Sequence, residues 1–139
     1  MADFVRQSKV RFSDTDYAGI IFYPRYFEGL NATVEDWFAE CAGVSFRTLL
    51  DEYRLGSPLV SIETTFMKPS RLEDILEYRL NVSRIGASSI TFKIETICGN
   101  ETRMRATLTH VCVQRDVSES APWPEALRKQ FNEALSEAQ

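Results

Sequence analysis

The sequence predicts an α+β fold: a single curved antiparallel sheet of about five strands wrapped around one long helix. Three features predict it. An apolar stripe at helical spacing runs from Tyr26 to Cys41, four period-two runs follow Pro58, and the breakers between the last three runs are short. Connections that short imply antiparallel neighbours, because a parallel crossover needs about a dozen residues or more. With 139 residues and no internal repeat or linker, the chain reads as a single domain over 1–139.

The elements follow in order. Val10 and Phe12 alternate with Lys9 and Arg11, which predicts a first strand from Gln7 to Phe12. The turn-rich loop from Ser13 to Gly19 leads into the apolar-aromatic run Ile20-Ile21-Phe22-Tyr23. Pro24 suits the first position of a helix, where its missing N–H would have had no partner anyway. Phe27, Leu30, Val34, Trp37, Phe38 and Cys41 then recur at the spacing of one helix face. Gly29 and Asn31 lower the intrinsic helix propensity, so packing must hold this helix in place. Gly43 is the expected C-cap, and a shorter helix from Phe46 to Tyr53 ends before Gly56-Ser57-Pro58. Strands are expected from Leu59 to Met67, Ile75 to Ile85, Ser89 to Cys98 and Thr102 to Arg115. A final amphipathic helix follows Pro122-Trp123-Pro124, with Leu127, Phe131 and Leu135 on one stripe.

Composition removes several function classes. A 44% hydrophobic, 26% charged chain is ordinary globular material. Its 16 basic and 20 acidic residues, net −4, argue against a nucleic-acid partner, whose phosphates favour a basic surface. The solitary histidine, His110, excludes a His-rich metal site and leaves little room for Ser-His-Asp or Cys-His catalysis. No metal and no cofactor are expected, and chemistry falls to carboxylates, hydroxyls and backbone amides. The start, MADFVRQSK, has no apolar core of secretory length, and no run approaches the ~18 apolar residues of a membrane span. Cys41, Cys98 and Cys112 form no CxxC pair and cannot all pair with one another, which suits the cytoplasm. The last strand carries Met104, Ala106, Leu108, His110 and Cys112 on one face and Thr107, Thr109, Val111 and Val113 on the other. Apolar groups on both faces predict a homo-oligomer.

Asp14 and Asp16 sit in the loop that feeds the long helix. An aspartate there commonly caps its own turn. The surroundings also suit chemistry: Gly19 permits close backbone approach to a ligand, and the helix start at Pro24 offers unpaired N–H groups with partial positive charge. A carboxylate beside free amides has the parts for acyl transfer, namely a nucleophile or base and an oxyanion hole. His110 and Cys112, two apart on one strand face, are roughly 7 Å apart, too far for a nucleophile–base hydrogen bond. His110 therefore reads as a core or interface residue.

The run from Phe12 to Phe27, FSDTDYAGIIFYPRYF, resembles the N-terminal signature of the hotdog-fold acyl-CoA thioesterases of the 4-hydroxybenzoyl-CoA thioesterase family. Gly56-Ser57-Pro58-Leu59-Val60-Ser61, Pro69-Ser70-Arg71-Leu72-Glu73-Asp74 and Arg84-Ile85-Gly86-Ala87-Ser88-Ser89 resemble later segments of that family in the same order. The resemblance thus runs from about Val10 to Val113. It implies a hotdog fold and hydrolysis of an aromatic or short- to medium-chain acyl-CoA to free acid and coenzyme A. It also implies that Asp16 is the catalytic carboxylate and that Tyr23 lends its backbone N–H to the oxyanion. Tyr17, Gly19, Asn31, Ser57 and Val60 would meet the acyl group, and Arg84, Ser88 and Ser89 would meet coenzyme A. A homo-oligomer, dimer or dimer of dimers (a tetramer), is the implied assembly.

This chain departs from the family at four places, one of them Tyr17, which stands where a small residue or Pro is usual and narrows the acyl end of the implied pocket. Many members carry His directly after the motif tyrosine, where Pro24 stands here; the hydroxybenzoyl-CoA branch has a carboxylate at Asn31 and a basic cluster at Gly86-Ala87-Ser88. Two other functions remain open on the same resemblance: an acyl-thioester-binding module without catalysis, and a hydroxyacyl-thioester dehydratase, which would need a His beside a carboxylate.

Overall fold

In the computed structural model, which describes residues 3–138 and side chains up to residue 135, β1 (Phe4–Lys9) is one edge of a five-stranded sheet. A 3-10 turn at Phe12–Asp14 leads to α1 (Pro24–Glu40) and α2 (Phe46–Asp51). Then come β2 (Leu55–Gly56), β3 (Leu59–Phe66), β4 (Ile75–Ile85), β5 (Ser89–Cys98), β6 (Glu101–Val111), β7 (Val113–Gln114) and α3 (Glu125–Ala138). The sheet order is β1-β4-β5-β6-β3, antiparallel throughout, and β2 pairs with β7 apart from it. Of the expected domain over 1–139, residues 1, 2 and 139 lie outside the described residues. Among the described residues no helix is long and apolar enough to cross a membrane.

One face of the sheet packs on α1. Leu76, Tyr78, Leu80 and Val82 of β4, Ile90, Phe92 and Ile94 of β5, and Met104, Ala106 and Leu108 of β6 are buried there. Each fully buried side chain of this size contributes about 1.5–3 kcal/mol, so this face dominates the stability. Gly29 explains why α1 tolerates a weak helix former: a Cβ at that position would collide with the Tyr78 hydroxyl. Leu127 and Phe131 of α3 complete the layer, with the Phe131 ring 5.5 Å from Trp37 and 5.7 Å from Phe38.

Three expectations need correction. The first strand ends at Lys9 rather than Phe12, because Phe4–Lys9 is the segment registered against Leu80–Ile75 of β4. Phe12–Asp14 instead turns tightly, with the Arg11 N–H donating to the Asp14 carboxylate at 2.9 Å. The strand expected to reach Arg115 stops at Val111: the Cys112 N–H turns to Ser88 O at 2.7 Å, and Val113–Gln114 pairs with Leu55–Gly56. On α1, Tyr26 and Thr33 are buried where Phe27 and Cys41 were expected; Cys41 is exposed and Phe27 half-buried.

The two sheet edges differ. β1 alternates half-buried with exposed residues, whereas β3 is exposed along nearly its whole length and carries Leu59, Val60, Ile62 and Phe66.

Candidate active site

The loop before α1 is held by its own backbone. Asp16 N–H donates to Ile20 O at 2.8 Å, and Gly19 N–H donates to Asp16 O at 3.0 Å. Asp16 Oδ1 accepts from the Ala18 N–H at 2.8 Å and from the Ile20 N–H at 3.4 Å, which ties that oxygen to the loop. Gly19 makes this geometry possible, since its φ of +79° lies in the left-handed region. Asp16 and Tyr17 stay exposed at the loop tip.

At the start of α1, the Arg25 N–H closes onto Phe22 O and the Tyr26 N–H onto Tyr23 O, at 2.9 and 3.0 Å. Pro24 has no N–H, and among the described residues the Tyr23 amide has no carbonyl partner at this helix start. A buried scaffold supports the loop from below. The Ile21 N–H donates to Ser70 O at 2.8 Å, and the Tyr26 and Ser70 hydroxyls share a hydrogen bond of 2.7 Å. Arg103 Nη1 donates to Ser70 Oγ, Pro69 O and Asp74 Oδ2 at 3.1, 3.1 and 2.7 Å. Burial alone would raise the Asp74 carboxyl, but the Arg71 amide and the Arg103 guanidinium outweigh it and hold the group below its ordinary value.

Two cavities lie along the groove between α1 and the edge strand β3. The first, about 300 Å³, is lined by Ile20, Ile21, Tyr23, Tyr26 and the Phe66–Pro69 turn. The second, about 330 Å³, is lined by Phe27, Leu30, Asn31, Leu59, Ile62, Leu108 and His110. Phe27 separates them, with its ring 6.3 Å from Tyr23 and 6.4 Å from Phe66. Asn31 thus faces the second cavity, on the exposed flank of the helix. Val60 falls at the β-bulge between Leu59 and Ser61 and is 59% exposed, so Leu59 and Ile62 are the β3 residues lining the cavity.

Ser57 meets the second cavity through His110, whose Nδ1–H donates to Ser57 O at 2.8 Å. Nothing local in the sequence joins these two, which are 53 residues apart; the Leu59↔His110 register of β3 and β6 brings them together. Arg84 at the end of β4, Ser88 in the turn and Ser89 at the start of β5 lie together at the β4–β5 connection. Ser88 Oγ accepts from the Ser120 hydroxyl at 3.2 Å, and Ser89 O accepts from the Trp123 indole N–H at 3.0 Å. Arg84 is exposed.

The predicted residues fall into two groups at opposite ends of the sheet. Ser89 is opposite Val111, whose N–H donates to Pro58 O, so the turn shares the Leu59 end of β3 with Ser57 and His110. Asp16 and Tyr23 lie at the Phe66 end, where Ile20 bridges to Arg71. Eight residues of β3 separate the ends, about 23 Å at ~3.3 Å per residue.

This architecture recurs in solved structures. A thioesterase-superfamily protein from Jannaschia sp. CCS1 superposes with a TM-score of 0.89 at 25% identity, covering 96% of this chain and 93% of that one. A 4-hydroxybenzoyl-CoA thioesterase variant complexed with 4-hydroxybenzoyl-CoA superposes with a TM-score of 0.87 at 21% identity, over 94% and 99%. In sequence, the chain is 25% identical over 129 residues to a 1,4-dihydroxy-2-naphthoyl-CoA hydrolase of Synechococcus elongatus, covering 92% of this chain and 94% of the relative. It is 31% identical over 71 residues to the 4-hydroxybenzoyl-CoA thioesterase of Pseudomonas sp., half of each chain. Residues 10–131 match the model of the thioesterase-like superfamily. With that match across most of its length and an antiparallel sheet packed on one long helix, the chain belongs to the thioesterase-like superfamily and has the hotdog fold.

Proposed function

We propose that this chain, as a single domain, is an acyl-CoA thioesterase that works as a homodimer. What supports it above all is the Asp16 carboxylate, pinned by its own loop amides in the segment that leads into α1. Oδ1 is occupied by those amides, which leaves Oδ2 for chemistry. Either Oδ2 attacks the thioester carbon, or it takes a proton from a water that does so. Negative charge develops on the carbonyl oxygen, and the Tyr23 N–H at the positive end of α1 holds it. The C–S bond then breaks, coenzyme A leaves as thiolate and takes up a proton, and the acid departs once one water has been consumed.

The groove of Phe27, Leu30, Ile62 and Leu108 suits an aromatic or a short- to medium-chain acyl group. Relatives whose names specify an aromatic acyl-CoA support the former.

A second copy completes the site. An exposed apolar edge such as β3 is a template for another strand. If β3 pairs antiparallel with its own copy about a two-fold axis near Ile62, the Phe66 end of one protomer meets the Leu59 end of the other. Asp16 and Tyr23 then face the partner's Arg84, Ser88 and Ser89, which are the proposed contacts to coenzyme A. The cytoplasm is the proposed setting, since Cys41, Cys98 and Cys112 form no disulfide.

Free-thiol release from benzoyl-CoA and from short, medium and long acyl-CoAs tests the activity. Release that disappears in Asp16→Asn supports it; binding without release across the panel overturns it in favour of an acyl-thioester-binding module. A monomer mass by light scattering at micromolar concentration overturns the shared site.

A further inference from the structure

The core-facing side of the edge strand β1 is polar. Its alternation turns Phe4, Arg6 and Ser8 inward, and the register sets Arg6 opposite Tyr78 and Ser8 opposite Leu76, both buried. An inward charge can serve an edge strand simply by discouraging pairing with another chain. That role asks only for a charge that reaches water. Arg6 Nη1 is instead buried, with no hydrogen-bond partner among the described residues, although Nε faces Asp36 Oδ2 at 3.4 Å. Arg6 lines a cavity of about 270 Å³ between β1, β4 and α1. To it α1 contributes Arg25, Glu28, Gly29 and Ala32, one helical stripe. The groove beside β3 uses Tyr23, Phe27, Leu30 and Asn31, so the two spaces lie on different sides of the helix. Tyr78 reaches the cavity as well. Gly29 leaves its hydroxyl uncovered, since a Cβ there would collide with it. Burial pushes the Tyr78 phenol well above its ordinary value, so it stays protonated and can donate.

We propose that this cavity is a second ligand site, taking a small monocarboxylate whose oxygens accept from Arg6 Nη1 and the Tyr78 hydroxyl. A guanidinium and a carboxylate match in shape and charge, and the hydrogen bonds between them are among the strong ones. Charge sets the valence. Among the lining residues Arg6, Lys9 and Arg25 stand against Asp14 and Glu28, an excess of one positive charge that suits a monoanion better than a phosphate dianion. Arg25 is held by Glu28 at 2.9 Å and Asp14 Oδ2 by the Arg11 N–H at 2.9 Å. The inner donors left for a ligand are therefore Arg6 Nη1 and the Tyr78 hydroxyl, with the exposed Lys9 at the mouth. Val10, Ile21, Ala32 and Leu76 add an apolar wall for a short alkyl or aryl body. The volume falls below the roughly 300 Å³ at which drug-sized ligand sites begin, so a nucleotide does not fit. The site stands independently of what the Asp16 loop catalyses.

The test is an NMR titration of the ¹⁵N-labelled full chain with acetate, butyrate and benzoate, and with inorganic phosphate as the dianion. At least one monocarboxylate is expected to shift the amides of Arg6, Ser8 and Gly29 to saturation. Arg6→Gln removes the guanidinium, and its affinity for that ligand should fall about tenfold or more. Tyr78→Phe removes one oxygen and keeps the ring, and its affinity should fall by several-fold to about tenfold. Shifts confined to β3 would put the ligand in the other groove and overturn the proposal. So would an absence of shifts at β1 with every monocarboxylate, or an affinity unchanged in Arg6→Gln. Tighter binding of phosphate than of any monocarboxylate overturns the assigned class. Should Arg6→Gln not fold, Tyr78→Phe decides, with unchanged affinity counting against the site.

Discussion

The two ends of the α1–β3 groove are built on opposite principles. At the Phe66 end an exposed carboxylate, Asp16, has its hydrogen bonds supplied by amides two and four residues away. At the Leu59 end a buried imidazole, His110, is fixed on one side by a residue 53 positions distant and left bare on the other. The first arrangement leaves one carboxylate oxygen open at the loop surface. The second hides a polar atom in an apolar wall. The largest predicted effects fall at the exposed end.

Asp16→Asn separates the ends most sharply. The amide oxygen can still accept from Ala18 and Ile20, so the loop should keep its shape and the melting temperature should hold. Thiol release should fall by about 10²–10⁴-fold, the range of a lost general base. A variant that retains wild-type kcat would return Asp16 to a turn-capping role and move the chemistry elsewhere.

The next effect concerns how the ends meet. Ile62→Lys places a charge on the proposed two-fold contact, while Val5→Lys places the same charge on the β1 edge. The former should run as a monomer in sedimentation and lose at least about tenfold in kcat/KM; the latter should keep the dimer. Equal behaviour of the two variants would make β3 an ordinary edge and leave the Asp16 end without its coenzyme A contacts.

The same contrast shows what was legible in the sequence. Asp16, Gly19 and Tyr23 form a local motif whose partners lie within a few residues, so the loop and the helix start could be read in advance. Strands β4 and β5 matched their expected bounds because strict alternation marks a half-buried strand. Two-residue strands have no period, so the β2–β7 pair left no signal. His110 read as a core or interface residue and is buried, but only the β3–β6 register reveals that Ser57 occupies one of its nitrogens. The bulge at Leu59/Ser61 likewise shifted the cavity wall off Val60, and alternation alone does not encode a bulge.

A smaller loss tests the scaffold beneath the exposed end. Arg103→Met removes the guanidinium that ties Ser70 and Asp74 together, leaving a half-buried carboxylate without its cation. Chemical denaturation should show a loss of about 1–3 kcal/mol. Because Ser70 O holds the Ile21 amide, kcat should fall more than KM rises. A purely structural role would lower stability and leave kcat alone.

The smallest effect belongs to the buried end and appears in the pH dependence of stability. Burial, only partly offset by the Ser57 bond, sets the folded His110 below its ordinary 6.5, so the unfolded chain binds the proton more readily. The stability is therefore complete above about pH 6.5 and declines as pH falls from there toward the lower folded value, by at most about 1.4 kcal/mol per pH unit. His110→Phe keeps a ring against Phe92 and removes the titration, so its stability should be flatter than the wild type's between pH 7 and pH 5.5. Parallel curves for the two proteins would mean that His110 can take up its proton while folded. Nε2 would then be able to donate rather than only accept, and the buried end would lose its single hydrogen-bond polarity.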